Sequence, residues 1–248
     1  MTASDVVRAD KIYGRDIHAL KGKTTKTKPQ PMVIDYLVML KNILENNKKI
    51  TLSIDIMFVN KVPFVTTISR HIKFKTIKAI QKRKKLQLSK SIKNVIAIYT
   101  QRGFKVEHAL FDGEFVPLRT ELLNMGIHAN FATRNKHVPE IERQHRVIKE
   151  RARTCRSTLP FEVLPKLLLV EMANNCALWI NMFPAKGGFP NVSPRTLMNV
   201  IKLDYSKHFR LLFGSYVQVH DDPSPTNSPT ARTVSAITLG PTGNLQGG

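Results

Sequence analysis

The segment ITLSIDIMFVN, residues 50–60, decides the fold, and VPFVTTIS follows it at residues 62–69. Both segments are rich in β-branched and aromatic residues, which favour strands, and both are apolar enough to lie in a buried sheet. Asn60 and Lys61 between them are typical of a tight turn, so the two segments are predicted to pair antiparallel. The next segment, HIKFKT at residues 71–76, alternates apolar and polar side chains and predicts a third strand.

Helical and strand patterns alternate after these three strands. An apolar stripe at helical spacing predicts a helix that ends at Gly103, and Gly126 is a natural end for a short second helix. Three antiparallel strands followed by alternating elements predict an α/β protein with the RNase H-like fold, a mixed five-stranded sheet with flanking helices. These later elements are a helix at 86–103, a strand at 104–111, a short helix at 117–125, a strand at 127–132, and helices at 138–158 and 164–183.

The two ends of the chain differ in composition from its middle. Short strand-like runs at residues 216–220 and 233–239 flank a segment rich in Pro, Ser and Thr, which predicts part of a small SH3-like β unit. A helix is expected near residues 33–44, after a polar and basic start. Four segments are therefore predicted: an arm with a linker helix at 1–48, the RNase H-like core at 49–185, a linker at 186–212, and the partial β unit at 213–248.

The charge balance predicts a polyanionic partner. Among 248 residues, 39 Lys and Arg stand against 18 Asp and Glu, a formal net charge of +21, while the 42% apolar content is that of a folded protein. We rank nucleic acid above a membrane surface, because the basic residues are distributed rather than gathered on one anchoring helix. A merely solvated basic surface ranks lower still at this net charge. The basic clusters lie at residues 21–28, 73–93, 134–156 and 202–210.

Several protein classes are excluded or disfavoured. No apolar stretch approaches the roughly 20 residues of a membrane span, and no secretory leader pattern opens the chain, so neither a membrane partner nor secretion is expected. Cys155 and Cys176 are too few for a disulfide framework or a cysteine-based zinc site, which favours a reducing compartment.

Three carboxylates stand where a surface location is a poor explanation. Asp55 interrupts the apolar strand at residues 50–60, and a lone buried carboxylate is costly without a partner or a metal. Asp112 follows the predicted strand at 104–111, at the strand end where α/β sheets place their chemistry. Glu142 opens a basic stripe on the long helix.

Converging carboxylates would bind a hard divalent cation, Mg²⁺ or Mn²⁺, and two such ions support in-line phosphoryl transfer. Each acid also has a structural explanation. Asp55 could be a hydrogen-bonded buried acid, Asp112 could be a turn residue, and Glu142 could pair with Arg146 one helical turn later.

Four segments carry a resemblance to a known family. They are DIMFVNKVPF (55–64), ALFDGEFVPLR (109–119), HVPEIERQHRVIKERAR (137–153) and LDYSKHFRLLFGSYVQVH (203–220). The chain resembles the integrase region of Copia-type LTR-retrotransposon polyproteins, in a divergent form, and is expected to be a fragment of such a polyprotein. The resemblance implies the fold of the retroviral integrase catalytic core.

The resemblance also implies a chemistry. It assigns Asp55, Asp112 and Glu142 as the catalytic and metal-binding triad, with two Mg²⁺ or Mn²⁺ ions as cofactors. The activity would be 3′-end processing of element DNA and strand transfer into target DNA, by a homo-oligomer acting in the nucleus after cytoplasmic assembly of the element particle. Phosphate contacts to double-stranded DNA are predicted for Asn135, Lys136, Arg143, Arg146, Lys149 and Arg153.

Some features depart from the family pattern. The interval from Asp112 to Glu142 is shorter than usual, and the first 50 residues hold one histidine and no cysteine where the family has a zinc module. Glu140 is an alternative third acid, but it lies about 200° from Glu142 around a helix, so only one of the two can face the other acids. A catalytically decayed or domesticated DNA-binding protein and an RNase H-like nuclease therefore remain as alternatives. His145 is expected to contact DNA or the core rather than a metal.

Overall fold

The computed structural model describes residues 2–22, 41–132, 138–201, 203–204, 209–221 and 229–241. The chain forms two compact units, one comprising Met1–Val33 with Ser206–Gly248 and the other Ile34–Tyr205. No helix in the described ranges is long and apolar enough to cross a membrane.

The larger unit is built on a five-stranded mixed sheet of order β3-β2-β1-β4-β5. The first three strands run antiparallel, while β4 and β5 run parallel to β1. This order confirms the predicted RNase H-like fold class. The strands are β1 (Lys49–Val59), β2 (Val62–Ser69), β3 (Lys75–Ala79), β4 (Lys105–Phe111) and β5 (His128–Phe131).

The third strand begins later than the alternating pattern predicts. Residues 71–74 belong to the turn after β2, which is closed by the Ser69 amide donating to the Phe74 carbonyl at 3.1 Å. Lys73 has a left-handed φ of 59° within this turn. The predicted strand at 71–76 was wrong in its position, because local alternation does not distinguish a tight turn from the start of a strand.

The helices predicted at 86–103, 117–125, 138–158 and 164–183 occur in that order, and two short helices that were not predicted lie at Ile17–Gly22 and Pro194–Asn199. The helix predicted at 117–125 begins earlier, as a 3₁₀ turn at Gly113–Leu118, because the Asp112 carboxylate accepts a hydrogen bond from the Gly113 amide at 2.7 Å. The helix predicted at 33–44 lies largely outside the described residues. The helices are α1 (Ala3–Tyr13), α2 (Ile17–Gly22), α3 (Lys41–Asn46), α4 (Lys85–Gln101), α5 (Arg119–Asn124), α6 (Pro139–Ser157), α7 (Lys166–Asn181) and α8 (Pro194–Asn199).

The alternating side chains of β1 serve two different faces. Ile50, Leu52, Ile54 and Ile56 enter the main hydrophobic core, which α4, α5 and the 3₁₀ turn complete. Leu197 and Met198 of α8 belong to this same core, so the compact unit continues past residue 185. The opposite face of the sheet packs against α6 and α7. That face carries Asp55, which is therefore only half-buried within a strand whose other side chains are largely enclosed.

The smaller unit contains α1, α2 and a two-stranded antiparallel sheet. The sheet consists of β6 (Tyr216–His220) and β7 (Thr233–Ile237), and it confirms the predicted small C-terminal β element. The Arg232 amide donates to the Lys21 carbonyl at 3.0 Å, which ties the sheet to the end of α2.

Candidate active site

Two of the predicted acids are neighbours in the sheet. The parallel register of β1 and β4 pairs Ile54 with Phe111, so Asp55 and Asp112 each follow one position later on adjacent strands. Asp112 lies exposed at the end of β4 and caps the 3₁₀ turn that follows. The sheet therefore brings together two acids that are far apart along the chain.

Helix α6 supplies the third acid and separates the two candidates for that position. The Glu140 carboxylate binds the Lys73 ammonium at 2.6 Å and lies 3.9 Å from the Arg70 guanidinium, so it faces away from the sheet acids. Glu142 is exposed on the other side of the helix, and its charge acts on Asp55. The helical phase thus brings Glu142, and not Glu140, toward Asp55.

The pKa of Asp55 reflects the nearby acids. The pKa of Asp55 is raised from 3.8 to about 6, chiefly by burial and in smaller part by repulsion from Asp112, Glu114 and Glu142. The Ile56 amide, which donates to the Asp55 Oδ1 at 2.6 Å, opposes this rise. Three other carboxylates therefore lie within electrostatic range of Asp55.

Glu114 is a fourth acid that the sequence analysis did not select. It lies on the 3₁₀ turn two residues after Asp112, and its carboxylate binds the Arg83 guanidinium at 2.7 Å. The signal was present in the segment DGEF, where two acids flank a glycine. Glu114 is therefore paired with Arg83, and its charge contributes to the raised pKa of Asp55.

His145 is a second residue at the site, after Glu114, that the sequence analysis did not assign to it. Its Nδ1 lies 3.7 Å from the Asp55 Oδ2, and its Nε2 is hydrogen-bonded to the Thr66 Oγ1 at 2.6 Å. Burial and the nearby Lys149 charge lower the pKa of His145 to about 4, so the ring is neutral at pH 7. A neutral imidazole here lies beside Asp55 without neutralising its charge. The signal was its position three residues after Glu142, on the same side of α6.

The acids at this site have the ligand chemistry of a divalent-cation site. Asp55, Asp112 and Glu142 offer carboxylate oxygens, which are the ligands that Mg²⁺ and Mn²⁺ prefer. A cation at this point would relieve the mutual repulsion that raises the pKa of Asp55. Within the described ranges, no three His, Cys, Asp or Glu side chains are set at metal-coordination distance. The residues fit in type and location, and their side chains would have to close on an ion.

The predicted DNA-contacting residues divide into two groups around α6. Arg146, Lys149 and Arg153 line a groove of about 320 Å³ together with Glu142 and His145. Arg143 does not line this groove; it lines a separate one together with Glu140 and Val147, which lie one turn before and after it on α6.

Asn135 and Lys136, the two remaining predicted contacts, lie outside the described residues.

No family model matches the chain, and no curated protein matches it. Among solved structures, the chain is similar to the catalytic core domain of BIV integrase, with 18% identity and a TM-score of 0.45 over 60% of this chain and 92% of that one. A likeness at this level carries no argument about function, and the fold assignment rests on the strand order itself.

Proposed function

We propose that this chain is an integrase of the Copia-type retrotransposon kind, which uses divalent cations to process the 3′ ends of element DNA and join them to target DNA. The observation that carries the proposal is the convergence of Asp55, Asp112 and Glu142 from two strands and a helix. The net charge of +21 supports a polyanionic substrate, and the four sequence segments support the Copia-type assignment.

Asp55, Asp112 and Glu142 would hold the cations. When bound, Mg²⁺ or Mn²⁺ would supply activation of a water or a 3′-hydroxyl and stabilisation of the leaving oxygen. Asp55 must be ionised to act as a ligand, and with a pKa of about 6 it is ionised at pH 7. The Ile56 amide holds the Asp55 carboxylate through a hydrogen bond, and the neutral His145 ring lies 3.7 Å from its other oxygen.

Arg146, Lys149 and Arg153 extend from the acids along α6 and would bind backbone phosphates next to the reacting bond. Such contacts position the duplex without reading its sequence, so target choice is expected to depend weakly on base sequence. The reaction needs no covalent intermediate with the protein. The chain has to supply only positioning and charge neutralisation.

The test is a cleavage and strand-transfer assay on short duplex ends with Mn²⁺ or Mg²⁺. Asp55→Asn and Glu142→Gln are each expected to lower the rate about 100-fold or more, because each removes a charge that holds the cations. Glu140→Gln is the matched control, since it removes the same charge from the same helix, two residues before Glu142. This variant should keep most of the activity. Wild-type activity that survives Asp55→Asn and Glu142→Gln would contradict the assignment.

A second candidate is a DNA-binding protein that has lost catalysis, favoured by the short interval between Asp112 and Glu142. It predicts salt-sensitive duplex binding by a wild-type protein that neither cuts nor joins DNA. Cleavage confined to RNA–DNA hybrids would instead identify an RNase H-like nuclease. The homo-oligomer and the nuclear location implied by the resemblance stay predictions.

A further inference from the structure

A second groove lies on the side of α6 that faces away from Asp55. It has a volume of about 710 Å³ and is bounded by the turn between β2 and β3, by α6, and by the segment after α7. This volume is within the range of about 300–1,000 Å³ that small-ligand sites occupy, so it is large enough for a nucleotide unit. The cations that line it are Arg70, Lys73, Lys75, Arg143, Arg151 and Lys186.

The charge of this groove is not balanced by its own lining. Among the described residues that line it, Glu140 is the one acid, and Lys73 already pairs with it at 2.6 Å. The pKa of Lys75 is lowered to about 8, chiefly by burial and in smaller part by repulsion from Lys73, while Glu140 acts in the opposite direction. A bound anion would relieve this repulsion.

The wall that carries these cations is held in place. The Asn181 side chain accepts from the Lys75 amide at 2.9 Å and donates to the Lys75 carbonyl at 2.7 Å, which fastens the start of β3 to the end of α7. The Lys75 ammonium donates to the Lys73 carbonyl at 3.1 Å. The start of β3 and the Lys75 ammonium are therefore fixed before any ligand arrives, which lowers the entropy cost of binding at this wall.

An aromatic ring lies in the same groove. Phe183 lines it with 40% of its surface exposed, and Trp179 stacks against Phe183 with 6.4 Å between ring centroids. Ile180 and Val147 add apolar surface to the lining. An exposed ring beside a row of cations is the combination that binds single-stranded nucleic acids, whose bases stack while their phosphates meet basic side chains.

We propose that this groove binds a single-stranded nucleic-acid segment, with phosphates at Arg70 and Lys186 and a base against Phe183. The site is distinct from the carboxylate site, because Glu140 faces this groove whereas Glu142 faces Asp55. The proposal goes beyond the proposed function and does not depend on catalysis. It gives the chain a means of holding an unpaired strand while the carboxylates face a duplex.

The test measures binding of a short fluorescent oligo(dT) to the whole chain in EDTA, which removes any metal-dependent reaction. The double variant Arg70→Gln with Lys186→Gln is expected to weaken binding about tenfold and to flatten the salt dependence by about 1.4 in log–log slope, the value for two lost single-strand phosphate contacts. Lys78→Gln is the charge control, since Lys78 is exposed on β3 and does not line the groove.

Phe183→Leu separates stacking from charge. It is expected to weaken oligo(dT) binding at least about fivefold and to leave binding of inorganic polyphosphate unchanged. Ultraviolet cross-linking of oligo(dT), followed by peptide mapping, should locate the adduct at Phe183 or its neighbours, which distinguishes this groove from other basic surfaces. Thermal unfolding of each variant checks that the fold is retained.

Three results would overturn the proposal. One is wild-type affinity in both the charge variant and Phe183→Leu. Another is equal weakening of oligo(dT) and polyphosphate by Phe183→Leu, and the third is equal competition by duplex DNA with cross-links elsewhere. Asp55→Asn should bind oligo(dT) like the wild type, so loss of cleavage and loss of strand binding are separate failures.

Discussion

Replacing Asp55 by Asn removes a negative charge that its surroundings disfavour, and the variant is expected to be more stable than the wild type at neutral pH. The rise of the Asp55 pKa from 3.8 to about 6 corresponds to about 3 kcal/mol at most. The side chain is 23% exposed, and solvent screening reduces the expected gain to about 1–2 kcal/mol. Asn keeps an oxygen that can accept the Ile56 amide, so the local backbone contact survives.

The gain has a defined pH dependence. Below pH 3.8 the carboxyl is protonated in both the folded and the unfolded chain, so the charge costs nothing. Between pH 3.8 and about 6 the unfolded chain releases its proton first, and the wild type loses stability relative to Asp55→Asn as the pH rises. Above about pH 6 the difference is constant.

His145 also changes the free energy of unfolding with pH, so the difference between the wild type and Asp55→Asn is more informative than the pH curve of either protein. Its pKa is lowered from 6.5 to about 4, so its contribution to stability is present above pH 6.5 and is lost as the pH falls toward 4. This trend opposes that of Asp55 over nearly the same window. Subtracting the wild-type curve from the Asp55→Asn curve cancels the His145 contribution to first order.

The assay is urea unfolding between about pH 4 and about pH 8, followed by the fluorescence of Trp179, the single tryptophan. Glu150→Gln is the control, because it removes one exposed charge from α6 outside the site and should change stability by less than about 0.5 kcal/mol. Mn²⁺ should raise the stability of the wild type and not of Asp55→Asn. A variant that is less stable than the wild type at pH 7, or a difference that does not vary with pH, would refute the reasoning.

Three further predictions concern the hydrophobic core, His145 and the two cysteines. Phe111→Ala empties a fully buried site between two aromatic rings and should cost about 3–5 kcal/mol in urea unfolding, with a smaller loss for Phe111→Leu. His145→Gln should abolish the loss of stability between pH 6.5 and about 4, and a retained loss would assign it to another group. Hydrogen bonding from Cys176 lowers the pKa of Cys155 to about 7, so iodoacetamide should modify Cys155 first at neutral pH, as mass spectrometry of the digested protein would show; faster modification of the buried Cys176 would contradict this.

The chain order of the elements and the presence of acids in them could be predicted without coordinates. Strands β1 and β2 are recognisable because a buried strand must be apolar over its whole length, and α6 because its buried residues recur at helical spacing. Asp55 is recognisable because it is a charged residue within an otherwise largely apolar strand segment. These are local properties, which each short stretch of chain expresses by itself.

Other features required the tertiary structure. The helical period predicts which side chains share a face of α6, but it does not predict which face packs on the sheet. Only the packed helix shows that Glu142 and Arg146 lie on one side, and Glu140 and Arg143 on the other. The place of His145 between Asp55 and Thr66 likewise depends on the distance between helix and sheet. The sequence by itself therefore determined the elements and the residue types available for chemistry. The docking of the elements decided which of those residues meet, because contacts between distant segments depend on long-range packing that no single segment encodes.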